Sequence, residues 1–369
     1  MGEHSVTRNR TGQGIVAAIG GMLLGAILTG CGSTATDSTT TPTGGAEPAS
    51  GGKALRLLFV TNSNADWWNA VEKGMSDGGE AFGANVGMRR NEGTTQGQIR
   101  LLEEAAGLAD VKGVAVSVIE ADAPGVADAL QALKDAGKVV ITIDSDIAPV
   151  SAEVRAAYIG TNNVKAGEAA GQAAAAIRPE GGKTCVFVGT SSAANARDRR
   201  EGFFKGAGPK FTQLETFDDG SDKAKAQSNV TTALSKYKDI GVMLGLWSYN
   251  APPIAEELAG LPEVRKKISV VTFDLDELAV GHLEKGNIDV TVCQNPYEMG
   301  YQGVKLLKAL IEKDEKAIKE VVPDGKTRDT GVRVIVPSDD SPVKKLKDLD
   351  VITIQEMKEW MSSKGLKSS

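Results

Sequence analysis

The feature that most constrains this chain is a sustained alternation of short apolar runs with amphipathic stretches, from about residue 55 to beyond residue 290. The first runs are Leu55–Thr61, Val86–Arg90, Val114–Ile119 and Val139–Ile143. Between them, Ala65–Phe82, Gln96–Leu108 and Pro124–Ala136 have helical spacing. Strands that are apolar throughout, rather than on alternate residues, belong in a parallel sheet covered on both faces. The pattern restarts after Tyr158-Ile159-Gly160. Helices Val164–Ile177, Asn195–Ala207, Lys223–Lys236, Pro252–Leu261 and Glu277–Gly286 there alternate with strands Thr184–Gly189, Gln213–Phe217, Ile240–Leu246 and Ile268–Phe273. Two successive sets of this kind predict an α/β protein with two doubly wound parallel-sheet lobes. At 369 residues the chain is long enough for both.

The N-terminus reads differently. Residues 1–13 are polar and carry Arg8 and Arg10, and residues 14–28 form an apolar run too short and glycine-rich to span a membrane comfortably. This is the layout of a secretory signal peptide. The run ends Leu28-Thr29-Gly30-Cys31, which resembles the bacterial lipobox. That resemblance implies a signal peptide over 1–30 and a lipid on Cys31. The protein would then be exported and held at the cell membrane, facing the periplasm or the cell exterior. Residues 32–53 are dominated by Gly, Ser, Thr, Pro and Ala, which bury no core and make a flexible tether.

Composition narrows the function. Net charge is −6 and the basic residues are scattered, which argues against nucleic acid as a partner. The two histidines are His4 and His282, so a histidine-rich zinc site is excluded and no metal spacing is present. No cofactor motif appears. Cys185 and Cys293 sit in apolar runs and read as small buried hydrophobes, with a disulfide between them left open.

In doubly wound sheets ligands bind outside the carboxyl ends of the strands. The stretches there are Asn62-Ser63-Asn64-Ala65-Asp66-Trp67-Trp68, Asp144-Ser145-Asp146, Gly189-Thr190-Ser191, Phe217-Asp218-Asp219, Trp247-Ser248-Tyr249-Asn250, Asp274 and Gln294-Asn295. Aromatic faces beside planar hydrogen-bonding groups suit a sugar, whose C–H faces pack on rings and whose hydroxyls need directional partners.

From about Ala54 to Val336 these motifs resemble the type I periplasmic binding proteins, specifically the ribose-binding-like sugar group. Asn64 with Trp67-Trp68 is similar to that group's first ligand loop. Val140-Ile141-Thr142-Ile143-Asp144 is similar to its fourth strand and sugar-binding aspartate, and Tyr158-Ile159-Gly160-Thr161-Asn162-Asn163 to its first crossing between lobes. The run from Ala196 to Phe203 is similar to its Arg-x-Arg-x-x-Gly-Phe helix start, with Arg199 at the ligand-arginine position. Thr272-Phe273-Asp274 and Val292-Cys293-Gln294 are similar to its late aspartate and hinge glutamine.

The resemblance implies lobes of 54–160 plus 295–322 and 161–294 plus 331–336, joined by three hinge crossings, with 337–369 as a C-terminal extension. It implies a monomeric binder that closes on its ligand and delivers it to the permease of an ABC importer. With the strand-end reading it gives the ligand set Asn64, Trp67, Trp68, Asp144, Ser145, Arg199, Phe217, Asp219, Trp247, Ser248, Asp274 and Gln294. Ser145 stands where ribose binders often carry arginine, and Trp247-Ser248-Tyr249-Asn250 replaces the usual Asn-Asp, so the sugar itself is left open. The carboxylates Asp144, Asp146, Asp219 and Asp274 against the one cation Arg199 favour a neutral sugar over an anionic one.

Each choice has a plainer reading beside it. Trp67 and Trp68 would also serve as core packing at a helix start, and Asp144 and Asp274 as helix caps. Arg199 would also suit a surface ion pair, and Gln294 a simple hinge. Two further classes stay beside the importer reading: a sensory receptor for a sugar, and an exported carbohydrate-active enzyme using paired carboxylates. The sequence offers the enzyme no nucleophile–base pair and no phosphate-cradling loop.

Overall fold

A computed structural model describes residues 55–369. The expectations for residues 1–54, including the signal peptide, Cys31 and the tether, lie outside the described residues.

Strands β1 (Leu55–Val60), β2 (Ala84–Arg89), β3 (Val111–Val116), β4 (Val139–Ile143) and β5 (Tyr158–Gly160) alternate with helices α1 (Trp68–Phe82), α2 (Thr95–Gly107) and α3 (Pro124–Asp135). Helices α4 (Asn163–Ile177), α5 (Ala194–Ala207), α6 (Lys223–Lys236), α7 (Ala251–Ala259), α8 (Pro262–Arg265) and α9 (Glu277–Glu284) follow. They are interleaved with β6 (Gly182–Val188), β7 (Phe211–Asp218), β8 (Ile240–Gly245), β9 (Ser269–Phe273) and β10 (Val290–Cys293). The chain closes with α10 (Pro296–Glu312), α11 (Glu315–Val321), β11 (Thr327–Asp329), β12 (Arg333–Val336), β13 (Val351–Thr353) and α12 (Ile354–Ser363).

The strands form two sheets. The first runs β11-β5-β4-β3-β1-β2 and is parallel throughout. The second runs β13-β12-β10-β9-β8-β6-β7 and is parallel except where β10 meets β12. Two parallel-sheet lobes are therefore present, as the apolar runs predict. Central strands are buried on both faces: every residue of β8 and of β9 is inaccessible to solvent or nearly so. Each sheet carries an apolar core on either side, for example Phe59, Ile141 and Leu307 against Leu58, Val114 and Leu130 in the first lobe.

The chain passes between the sheets three times, after β5, after β10 and between β11 and β12. At one edge of this hinge the Thr330 amide donates to the Gly160 carbonyl at 2.7 Å, and the Asn162 amide to Asp329 Oδ1 at 3.2 Å.

One helix boundary differs from the sequence reading, and the structure adds detail elsewhere. Helix α1 starts at Trp68 rather than Ala65, because residues 65–67 make a tight turn in which the Trp68 amide donates to the Ala65 carbonyl. Residues 337–369 are integrated into the second lobe: β13 pairs with β12, and α12 buries Ile354, Met357 and Met361. Cys185 and Cys293 are free thiols in the core, and burial pushes the Cys185 thiol up to about 12. Among the described residues no helix is long and apolar enough to cross a membrane.

Candidate functional site

The carboxyl ends of the two sheets face each other across a cleft that encloses about 370 Å³ of space, open solvent included. Its walls are Asn62, Ser63, Ala65, Trp67, Trp68 and Asp144 from the first lobe, with Asn195, Arg199, Trp247, Ser248, Tyr249, Asp274 and Gln294 from the second and the hinge.

Arg199 is the charge at its centre. It lies on α5, whose backbone is pressed onto α4: a Cβ at Gly167 would sit 2.3 Å from the Arg199 carbonyl oxygen. Only glycine allows that approach, which seats the guanidinium deep under the cleft with 1% of the residue exposed. Its Nε donates to Asn163 Oδ1 at 2.9 Å and Nη1 to the Leu246 carbonyl at 2.7 Å. The guanidinium carbon is 4.7 Å from the centroid of the Phe273 ring, a cation–π contact. Nη1 is also 3.8 Å from Asp274 Oδ2, while Nη2 has no protein partner.

Asp144 and Asp274 follow β4 and β9 directly and are almost wholly buried. Ser117 Oγ donates to Asp144 Oδ2 at 2.8 Å, and Asn62 Nδ2 does so at 3.4 Å. Burial pushes the Asp144 carboxyl up to about 6, against the opposing pull of Arg199. The Asp274 carboxyl is pushed up for the same reason, again opposed by Arg199. Gln294 holds Asp274 through its backbone amide at 3.1 Å and its side-chain Nε2 at 3.2 and 3.0 Å. Neither aspartate caps a helix; that role next to Asp274 belongs to Asp276, which accepts from the Leu278 amide.

Three indoles enclose the polar groups. Trp67 and Trp68 meet edge to face with centroids 5.0 Å apart. Trp68 Nε1 donates to Ser63 Oγ at 3.3 Å, the Trp67 indole N–H is turned to the Asp274 carboxylate, whose charged form it favours, and the Trp247 indole N–H has no protein partner. Trp247 lies across Gly189, where a Cβ would be 2.2 Å from the indole ring. Tyr249 is fixed by donating to Asp219 Oδ1 at 2.6 Å, and Asn250 Nδ2 donates to Asp219 Oδ2 at 2.9 Å. Burial pushes the Asp219 carboxyl up to about 6.

Of the residues picked from sequence, Trp67, Trp68, Asp144, Arg199, Trp247, Ser248, Asp274 and Gln294 line the cavity together. Asn64 is exposed and faces a separate hollow at the cleft mouth with Glu92, Ser221 and Lys223. Ser145 is buried beside the cavity without lining it, its carbonyl accepting from the Val118 amide at 2.9 Å. Phe217 points into the core, stacked on Phe187 at 5.3 Å. Asp219 stands behind the cavity as the partner of Tyr249. Asp146 is turned away from it into an ion pair with Arg155.

The residues not picked are Asn62, Ser63, Ala65, Asn195 and Tyr249. Asn195 was within reach: it precedes Arg199 by four residues on one helix, and that spacing puts both on one face. At the cleft mouth Asp122 and Arg197 pair at 2.8 Å and Asp66 and Lys223 at 3.6 Å, both pairs bridging the lobes.

Four buried polar atoms on this cavity lack protein partners: Trp247 Nε1, Arg199 Nη2, Asn195 Oδ1 and Gln294 Oε1. Buried polar groups are nearly always paired, and each orphan costs about 1–3 kcal/mol. Two donors and two acceptors converging on one space describe a ligand rich in both.

The model of the periplasmic binding protein domain family matches residues 57–315. The chain is 26% identical over 262 residues to the D-allose-binding periplasmic protein of Escherichia coli, covering 68% of this chain and 82% of the relative. It is 23% identical over 259 residues to the ribose import binding protein of Bacillus subtilis, covering 69% and 82%. Among solved structures, an ABC transporter solute-binding protein from Burkholderia graminis in complex with D-arabinose superposes with a TM-score of 0.69 at 25% identity. That match covers 76% of this chain and 95% of the other.

Proposed function

The chain belongs to the periplasmic binding protein domain family, and on that premise we propose that it captures a neutral monosaccharide in the interlobe cavity and delivers it to an ABC importer. The observation that carries this reading is the set of four unpaired donors and acceptors among three indole rings. A pyranose or furanose supplies hydroxyls that both donate and accept, and apolar faces for the rings. Relatives named for allose and ribose, and a structural neighbour holding arabinose, point to the same ligand class.

Neutrality follows from the charges on the walls. Asp144 and Asp274 flank one guanidinium, so an anionic sugar would bring a further negative charge into a site with no second cation lining it. Transport sets where the protein works: an anchor at Cys31 and a tether over 32–53 would keep the lobes beside a membrane permease.

Calorimetry on protein unfolded and refolded to strip carried ligand tests the reading, against neutral aldoses, ketoses, uronic acids and sugar phosphates. Saturable binding of a neutral sugar is the expected result. Tighter binding of a charged member than of every neutral one, or no binding of any sugar, would overturn it. The anchor is tested separately by Cys31→Ser, which should release the exported protein from membranes.

A further inference from the structure

We propose that the C-terminal segment Lys364–Ser369 is a strap that positions Asp274 for ligand, a role that rests on the sugar-binding reading above. Three consecutive residues after β9 have three different duties. Asp274 faces the cavity, Leu275 is buried in the lobe core, and Asp276 caps α9. Leu275 has a partner far away in sequence. Its amide donates to the Ser369 carbonyl at 2.6 Å, and its carbonyl accepts from the Ser369 amide at 2.9 Å. A reciprocal pair of this kind is the hydrogen-bonded rung of an antiparallel ladder. It is dry: Leu275 is 1% exposed and Ser369 0%.

The strap matters because Asp274 has a backbone that needs holding. Its φ is 61°, a left-handed conformation that aspartate tolerates better than most residues but that is still uncommon outside glycine. One side is held by β10, since the Asp274 amide donates to the Val292 carbonyl at 2.9 Å. The Asp274 carbonyl accepts from Thr291 Oγ1, also on β10, at 2.8 Å, and the next residue along the loop is held by the Leu275–Ser369 pair. Without Ser369, both backbone groups of Leu275 would be buried and unpaired, and the loop would have reason to turn outward to water.

The same segment also touches the other lobe. It leaves α12, which is packed into the second lobe. Lys364 Nζ then lies 4.6 Å from the centroid of the Tyr297 ring on α10, and the Tyr297 hydroxyl donates to Asp77 on α1 at 2.9 Å. Helices α1 and α10 bury Trp68, Val71, Leu306 and Leu307 in the first lobe's core. The strap thus ties the ligand aspartate to a point on the opposite lobe.

The experiment compares the full chain with a variant lacking Lys367–Ser369, each alone and combined with Asp274→Asn. Binding of D-ribose, D-allose and D-arabinose is measured by calorimetry, and hydrogen exchange is followed at Leu275. The shortened variant should bind roughly tenfold or more weakly, and the loss should largely vanish in the Asp274→Asn background. Exchange at Leu275 should accelerate while β8 stays protected. A loss of affinity that simply adds to that of Asp274→Asn, or an unchanged affinity, would overturn the strap. If wild type binds none of the three sugars, the ligand reading loses its support, and exchange at Leu275 still decides the strap. If the shortened variant does not fold, wild type decides it: rapid exchange at Leu275 would mean the pair does not hold the loop.

Discussion

Asp144 and Asp274 occupy matching corners of two different sheets. Each is the first residue beyond a buried central strand, and their φ angles are 59° and 61°. Aspartate tolerates this left-handed region better than most residues. The effect is to point one carboxylate from each lobe at the shared cavity, where the single guanidinium of Arg199 serves both. A ligand bridging the two carboxylates would bridge the two lobes.

Removing one member of this trio should therefore cost more than a hydrogen bond. Arg199→Ala leaves two buried carboxylates without their cation, and Asp274→Ala takes from Arg199 the carboxylate it ion-pairs with; each should weaken sugar binding by roughly 2–5 kcal/mol. Calorimetry reads the loss directly. Wild-type affinity in both variants would remove the site assignment.

Affinity and stability should both depend on pH near 6, in opposite directions. The Asp144 carboxyl is raised from 3.8 to about 6 in the folded protein. The native state therefore holds a proton that the unfolded chain has already released between about pH 4 and 6. The associated stability is present at low pH and lost as pH rises through about 6. His282 opposes this, since burial lowers its pKa and favours the neutral form. The comparison with Asp144→Asn isolates the aspartate: the stability of wild type relative to the variant should fall between pH 5 and pH 7 in chemical denaturation. Sugar affinity should move the other way, weakening as pH drops below 6, because a protonated Asp144 accepts fewer hydroxyls. A flat difference across this range would show that Asp144 titrates elsewhere.

The gap between α4 and α5 should be intolerant of a methyl group. In Gly167→Ala the new Cβ would fall 2.3 Å from the Arg199 carbonyl oxygen, so the helices must part. Overpacking of this kind costs about 1–3 kcal/mol, visible in urea unfolding. Binding should weaken as well, because the atom displaced belongs to Arg199. A variant with unchanged stability and affinity would mean the helices adjust freely there.

Sequence made the lobes legible because doubly wound sheets bury their strands on both faces, leaving apolar runs such as Val139–Ile143 that match the observed strand. Strand ends then pointed to Asp144, Asp274 and Trp247. What sequence did not resolve was direction. Phe217 and Asp219 lie two residues apart at one strand end, yet Phe217 enters the core and Asp219 turns to Tyr249. Asp146 was lost to Arg155, a partner nine residues on that no local pattern reveals. The partnership of Leu275 with Ser369 spans most of a lobe and follows only from how the last helix docks.

Intrinsic fluorescence should separate the three cavity tryptophans. The Trp247 indole N–H is buried and unpaired and the Trp67 indole N–H is turned to Asp274 on the cavity wall, so a bound sugar gives both rings a new dielectric surrounding and Trp247 a new acceptor. Trp68 already donates to Ser63, and its environment should change least. Trp360 sits on α12 with Arg333 over its ring, away from the cavity walls, and should contribute a constant background. Titration with a saturating neutral sugar should shift the wild-type spectrum. That shift should shrink in Trp67→Phe and in Trp247→Phe, and persist in Trp68→Phe. Trp247→Phe should also bind more weakly by roughly 1 kcal/mol, the net worth of one hydrogen bond. If the shift disappears only in Trp68→Phe, the ligand meets neither Trp67 nor Trp247, and the orphan atoms on the cavity wall need another partner.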